Sequence, residues 1–468
     1  MRIATPSPAG TNLRKDLLMG VALATAYFVA GKMGLRLASV NPSATAVWAP
    51  TGITVAAFLM LGYRVWPGIL LGAFLVNATT AGSLATSLAI AAGNTSEGLL
   101  GAWLVNRYAG GRNAFDRARD IFRFAFLAGM VCTVVSATIG VTGLALAGFA
   151  EWAAYGGIWL TWWLGDAVGA IVVAPPVILW TNKGLPGPTR KQVLEGAALL
   201  LYLFLVGQVV FGSFFQTTAP SYPLEFLCVP FLVWAAFRFG QRVSSLAVLL
   251  LAGVAIWGTL QGSGPFVRTT QNESLLLLQS FVGIMSLMTL TLAAEVAEHK
   301  RAEEEVRRLA TTDPLTGLAN YRQLTQVLEA EIKRSDRTGR PFALLLLDMD
   351  GLKKVNDTQG HLAGSRALCR VADAVRAQSR EIDTAARYGG DEFALILPES
   401  NADAARQVAR RIGECLAGDS GEPRLTVSFG VSQYPRDGAS FEPLVRTADS
   451  ALYEMKSQRR VRGGVLRA

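Results

Sequence analysis

Between residues 17 and 296 this 468-residue chain passes through one long apolar stretch after another, and beyond Glu295 the stretches stop. That pattern limits the fold of the first part more than any other feature. In a bilayer every backbone N–H and C=O must be satisfied within the protein, so only helices and closed barrels can span it. Runs of 17 to 25 residues suit helices and are too long for barrel strands. The spacing therefore predicts an all-α polytopic membrane bundle with about ten spans, at 17–38, 45–62, 65–81, 83–106, 121–149, 152–181, 192–214, 222–238, 242–262 and 273–296. Eight is the alternative count, because 45–81 is broken only briefly and 152–181 contains Pro175-Pro176.

The basic residues give an orientation. With the N-terminus inside, the inner loops carry Arg64; Arg107, Arg112, Arg117 and Arg119; Lys183, Arg190 and Lys191; and Arg238 and Arg242, and the outer loops carry little besides Arg268. This bias places both termini in the cytoplasm of a bacterial inner membrane, in contact with membrane lipid. The same placement accounts for the net charge of +9, so no direct nucleic-acid partner is expected. Cys132, Cys228, Cys369 and Cys415 have neither paired nor metal-type spacing, which argues against a disulfide framework. The first apolar helix lacks a cleavage pattern and is expected to remain as an anchor.

Polar residues inside apolar spans are costly and so are candidates for function: Asn94, Glu97, Asp166, Lys32 and Glu225. Trp48-Ala-Pro-Thr-Gly-Ile53, Gly62-Tyr-Arg-Val-Trp-Pro-Gly68, Gly93-Asn-Thr-Ser-Glu97 and Trp162-Trp-Leu-Gly-Asp-Ala167 together resemble the MASE-type membrane sensor domains that precede bacterial signalling domains. The resemblance implies that this half senses a signal, which the residues do not name.

Residues 297–312 form a charged linker without Gly or Pro, predicted to continue the last span as a helix. Val296, Ala302 or Glu303, Val306 and Leu309 make a sparse apolar stripe, suited either to a short coiled coil with a second copy or to a lone solvated helix. With a cytoplasmic tail at 1–16, a membrane domain at 17–296 and this linker, residues 313–468 remain as a soluble domain.

In that domain, Phe342-Ala-Leu-Leu-Leu-Leu-Asp348 reads as a buried central strand ending in an acid. Asp383 to Tyr388 and Ala394 to Pro398 read as strands joined by Gly389-Gly390-Asp391-Glu392-Phe393, where Gly-Gly predicts a two-residue hairpin turn with positive φ. The turn presents carboxylates that suit a hard cation. Taken with Asp313-Pro-Leu-Thr-Gly-Leu-Ala-Asn320, Leu347 to His361 and Asp449 to Arg460, these blocks resemble the GGDEF family of diguanylate cyclases over about 155 residues.

The resemblance implies an α+β domain, ferredoxin-like with the palm of nucleotide cyclases: a central antiparallel sheet with flanking helices. It implies a nucleotidyltransferase that joins two GTP into cyclic di-GMP as a homodimer, paired through linker and catalytic domains. Asp348 and Asp391, with the Met349 carbonyl, would hold Mg²⁺, Mn²⁺ being the alternative. Asp391 and Glu392, with Asp348, would carry catalysis. Gly351, Leu352 and Lys353 would cradle phosphate, with Gly389 and Gly390 near it. Asn356 would read guanine, and Lys456 and Arg460 would contact phosphates. Ser365 replaces the family's usual aspartate and offers guanine a weaker partner. Arg380 and Asp383 occupy the position of the family's inhibitory product site. A catalytically silent GTP or cyclic di-GMP receptor is the second reading, motivated by Ser365, and a transporter with a regulatory tail is the third.

Overall fold

The computed structural model describes residues 13–36, 45–80, 82–181, 189–212 and 224–465. The chain separates into two compact units, Met1–Lys300 and Arg301–Ala468.

The first unit has no β-strand among its described residues, and its helices are α1 (Leu13–Arg36), α2 (Ala49–Leu61), α3 (Trp66–Ala78), α4 (Leu84–Tyr108), α5 (Ala118–Phe124), α6 (Thr133–Leu146), α7 (Tyr155–Thr181), α8 (Arg190–Phe211), α9 (Val229–Phe239), α10 (Gln241–Leu260) and α11 (Gln271–Thr311), the last of which continues past Lys300. Each expected span contains a helix, and among the described residues six segments are both long and apolar enough to cross a membrane. The helices α2 and α3, at 13 residues each, rise only about 20 Å, less than the hydrocarbon core of about 30 Å. Pro175 and Pro176 lie inside α7 without ending it. Between α5 and α6 the chain widens into a π-helix over Ala125–Val131, and the Trp163 indole donates to the Met130 carbonyl at 2.9 Å. That donor compensates part of the disturbed ladder.

Small residues set the packing. A Cβ on Gly52 would lie 2.4 Å from the Gly169 carbonyl oxygen, and one on Gly169 would lie 2.1 Å from that of Trp48. Glycine at both positions lets α2 and α7 approach at backbone distance, the usual device where hydrophobicity cannot drive helices together. Gly98 on α4 leaves room in the same way for Thr54 of α2.

The second unit is built on a four-stranded antiparallel sheet, β1 (Phe342–Met349), β2 (Thr384–Arg387), β3 (Glu392–Pro398) and β4 (Val427–Tyr434), in the order β2-β3-β1-β4. All eight residues of β1 are buried, as its unbroken apolar run requires of a central strand covered on both faces. Phe342, Leu344 and Leu346 pack with α12 (Tyr321–Thr338) and α16 (Phe441–Val465). Ala343, Leu345, Leu347 and Met349 face the opposite core with α13 (Leu352–Gln359), α14 (His361–Gln378) and α15 (Ala402–Gly418). Side chains alternate along a strand, so Asp348 shares the α16 face.

Candidate active site

The site gathers where β1 ends. Asp348 lies opposite Glu392 of β3 on one side and Ser428 of β4 on the other. Its Oδ2 receives the Lys456 ammonium at 2.6 Å. Three sequence candidates thus meet across two strands and a helix. Asp391 joins them through its backbone: its carbonyl accepts from the Met349 N–H at 2.9 Å, tying the hairpin tip to the end of β1. The Met349 side chain is fully buried.

The hairpin differs from expectation. Its last strand pair is Arg387 with Phe393, and the N–H groups of Tyr388 and Gly389 share the Glu392 carbonyl at 2.8 and 3.2 Å. The connection is longer than two residues, and neither Gly389 nor Gly390 is among the positive-φ glycines. A Cβ on Gly389 would lie 2.8 Å from Glu392 Oε2, so the carboxylate would have to turn aside for any side chain there.

Arg387, which sequence reasoning missed, holds the tip from beneath. Its Nε and Nη2 donate to the Gly390 carbonyl at 3.1 and 2.6 Å, and its Nη1 pairs with Asp313 Oδ2 at 3.3 Å. Asp313 also accepts from the Thr316 N–H at 2.8 Å and hydroxyl at 2.7 Å. The Asp313-Pro-Leu-Thr-Gly turn is therefore a buttress for the hairpin. A basic residue in the strand just before an acidic tip was the available signal. Asp350 was also missed: its carboxylate accepts from Thr426 and Ser428, each at 2.7 Å, which fastens the β1 exit to β4.

Gly351 takes a left-handed φ of 78° and caps α13, so the expected phosphate nest is a helix N-terminus. Leu352 packs partly against the core and Lys353 is exposed. Asn356 and Ser365 are half-buried on neighbouring helices. Between them sits Gly364, where a Cβ would stand 1.9 Å from Asn356 Oδ1 and would make the amide turn. Arg380 and Asp383 close a turn: the Asp383 carboxylate accepts from the Arg380 N–H at 2.7 Å, and Asp383 Oδ1 is buried without a partner. The expected helix position of Arg460 falls in α16, but its side chain lies outside the described residues.

Electrostatically the site is under-neutralised. Burial, opposed by Lys456 and helped by the Asp391 and Asp350 charges, holds the Asp348 carboxyl above its ordinary range. Burial and then the charges of Asp348 and Asp391 raise Glu392 as well. One ammonium does not balance these acids, and a hard dication fits them. Among the described residues no three His, Cys, Asp or Glu side chains are arranged to hold a metal by themselves. An ion here would draw its remaining ligands from backbone, water or phosphate. A groove of about 540 Å³ opens beside the tip, with Tyr388, Glu392, Arg446 and Asp449 in its wall. Asn356 and Ser365 do not line it, so a nucleotide reading depends on the strand ends and α13.

Residues 19–300 match the MASE1 family, and residues 310–462 match the diguanylate cyclase, GGDEF domain. The chain is 34% identical over 305 residues to the bifunctional diguanylate cyclase/cyclic di-GMP phosphodiesterase MucR of Pseudomonas aeruginosa, covering 64% of this chain and 40% of that protein. It is 32% identical over 266 residues to the diguanylate cyclase DgcM of Escherichia coli K12, covering 55% and 62%. It spans less than two thirds of either relative. A solved structure of the coiled coil and GGDEF domain of DgcB from Caulobacter crescentus, in complex with c-di-GMP, is 32% identical, covers 35% of this chain and 90% of that one, and gives a TM-score of 0.32.

Proposed function

We propose that this chain, which belongs to the MASE1 family and carries a GGDEF domain after its membrane half, condenses two GTP into cyclic di-GMP with release of two pyrophosphates. The observation that carries the reading is the meeting of Asp348, Glu392 and Lys456 at the end of β1, beneath a hairpin tip fastened by Met349.

Asp348 and Asp391, with the Met349 carbonyl, would hold Mg²⁺ or Mn²⁺, which supplies charge neutralisation for the triphosphate. Lys456 leaves Asp348 for phosphate oxygens, and Arg460 joins it. The N–H groups at Gly351, Leu352 and Lys353 face the phosphates from a helix N-terminus. Asn356 offers guanine a donor and an acceptor, and Ser365 adds one hydrogen bond where a carboxylate would add a charge-assisted one. Asp391, supported by Glu392, accepts the proton of the attacking 3′-hydroxyl. The α-phosphorus gains that oxygen and loses pyrophosphate, and the second bond forms in the same way.

Each domain holds one GTP, so the active unit is a dimer. Val306 and Leu309 of α11, 66% and 57% exposed, support pairing through the linker. Arg380 and Asp383 form the inhibitory product site, and Arg380→Ala should leave cyclase activity insensitive to added cyclic di-GMP; retained inhibition would remove that site. The loop charges place both termini in the cytoplasm. Labelling of single cysteines introduced at Arg64 and Arg268 from either side of intact cells tests this, with label reaching Arg268 from outside and Arg64 only from inside.

Ser365 favours one competing reading, a receptor that binds GTP or cyclic di-GMP without turnover. The full chain in nanodiscs with GTP and Mg²⁺ separates the two. Cyclic di-GMP formation abolished by Asp391→Ala supports the cyclase, and nucleotide binding without product, unchanged by that substitution, supports the receptor.

A further inference from the structure

Residues 106–123 carry five arginines, Arg107, Arg112, Arg117, Arg119 and Arg123, against two aspartates, Asp116 and Asp120. The Arg112 guanidinium donates to the Leu59 and Met60 carbonyls at the end of α2. Asp120 is shared between Arg119 at 3.5 Å and Arg123 at 3.3 Å. Arg107, in the last turn of α4, forms no ion pair among the described residues and lies over the Tyr108 ring, 5.4 Å from its centre. Arg123 reaches the same helix end, where it donates to the Tyr108 carbonyl at 3.1 Å. Positive charge is therefore in excess at this end of α4.

An open groove of about 640 Å³ begins there, lined by Arg107, Tyr108, Phe122, Arg123, Phe126 and Leu127. Its apolar wall comes from α5 and the π-helix over Ala125–Val131. Such π-turns are uncommon and concentrate at functional sites. Tyr108, Phe122 and Phe126 are each more than half exposed, so the wall is not covered by the rest of the bundle. The expected spans 83–106 and 121–149 both pass from charged to apolar sequence here, which puts the arginines at headgroup depth and Phe126 and Leu127 toward the hydrocarbon. A second groove, about 730 Å³ between α8 and α10, makes the contrast. Leu200, Phe204, Leu249 and Trp257 line it with no charged residue, and acyl chains of any lipid suffice to cover it. Two guanidiniums at one end set the first groove apart.

We propose that this groove binds one anionic phospholipid, its phosphodiester held by Arg107 and Arg123 and an acyl chain lying along Phe122, Phe126 and Leu127. A guanidinium presents paired donors that match phosphate oxygens, and basic pockets at the ends of membrane helices suit anionic headgroups. A zwitterionic lipid offers the same phosphate but brings its own cation into a region already rich in positive charge. Free phosphate lacks the chain that would cover the exposed aromatic wall. The site lies wholly in the membrane half and is independent of nucleotide chemistry.

The test is native mass spectrometry of the full, delipidated chain in detergent, titrated with phosphatidylglycerol or phosphatidylcholine of identical acyl chains. One phosphatidylglycerol should be retained saturably, about fivefold or more tighter than phosphatidylcholine. Arg107→Gln and Phe126→Ala change exposed side chains and should fold normally, and each should lower phosphatidylglycerol affinity about fivefold. Arg190→Gln removes the same charge from an exposed position outside the groove and should leave the affinity unchanged. Glycerol phosphate, the headgroup anion without chains, should not displace the lipid. Equal retention of the two lipids overturns the proposal, as does undiminished binding in either groove variant. An equal loss in Arg190→Gln would show general surface charge at work, and displacement by glycerol phosphate would show an anion site without a lipid groove; either also overturns it.

Discussion

Gly364→Ala tests guanine reading through a single methyl group. Alanine is the better helix former by about 1 kcal/mol in α14, and Gly364 has no positive φ, so the backbone accepts the change. The added Cβ would stand 1.9 Å from Asn356 Oδ1 and 2.9 Å from its Cγ, while Leu352 Cδ1 lies at 3.2 Å. The amide is the end of a side chain and can turn away, at an off-rotamer cost of about 0.5–1.5 kcal/mol. Gain and cost nearly cancel, so the melting temperature should move little. The amide, however, leaves the orientation in which it would meet guanine under the proposed function. Losing hydrogen bonds worth about 1–3 kcal/mol should raise the dissociation constant for GTP roughly 5- to 150-fold. Titration calorimetry with a non-hydrolysable GTP analogue measures this, and Asn356→Ala should show the same loss, with the double variant no worse than either single one. A folded Gly364→Ala protein that binds GTP as tightly as wild type would refute the role of Asn356.

A Cβ on Gly430 would meet backbone, the Ala448 carbonyl at 2.0 Å and the Leu452 nitrogen at 2.4 Å, so Gly430→Ala should push α16 off β4 and destabilise the domain by about 3 kcal/mol or more in urea unfolding. Gly413→Ala, with open space around it, is the contrasting case and should stabilise slightly; similar midpoints for both would contradict the packing. Arg387→Ala removes the guanidinium donors of the Gly390 carbonyl and leaves Asp313 with Thr316 alone, and should cost about 1–3 kcal/mol and lower turnover more than GTP affinity; unchanged kcat would remove the buttress. The folded domain raises the Glu392 carboxyl above its unfolded value, so the contribution of this group is most favourable below the ordinary glutamate range and is lost as pH rises through the raised value. Without metal, wild type should therefore lose stability relative to Glu392→Gln as pH rises across that window, and Mg²⁺ should shrink the difference. A gap that widens as pH falls would show the sign to be wrong.

Much of this was legible because local chemistry and tertiary role coincide. The apolar run ending in Asp348 could only be a covered strand, and the linker, rich in helix formers, is indeed part of α11 through Thr311. The hairpin strands emerged at Thr384–Arg387 and Glu392–Pro398, but the two-residue turn did not, because residues 388–391 connect them and neither Gly389 nor Gly390 takes a positive φ. Gly351, Leu352 and Lys353, expected to cradle phosphate, open the helix α13, whose Val355 packs against the core. Arg387 and Asp313 are far apart in sequence, so their pairing has no periodic signature. Lys32 resembled a functional charge in a span, but its ammonium donates to the Thr79 carbonyl at 2.6 Å and the Thr80 hydroxyl at 2.9 Å. Glu97 and Asp166 kept their candidacy because both Glu97 oxygens and Asp166 Oδ2 are buried without a hydrogen-bond partner.

If the carboxylates at the end of β1 and on the hairpin tip drive GTP condensation, product analysis of the full chain in nanodiscs with GTP and Mg²⁺ will show it, comparing wild type with Asp391→Ala and Asp348→Asn at matched folding. Cyclic di-GMP and pyrophosphate formed in a one-to-two ratio by wild type, and lost in both variants, is the predicted result. Intact GTP with wild-type protein that binds it would contradict the claim.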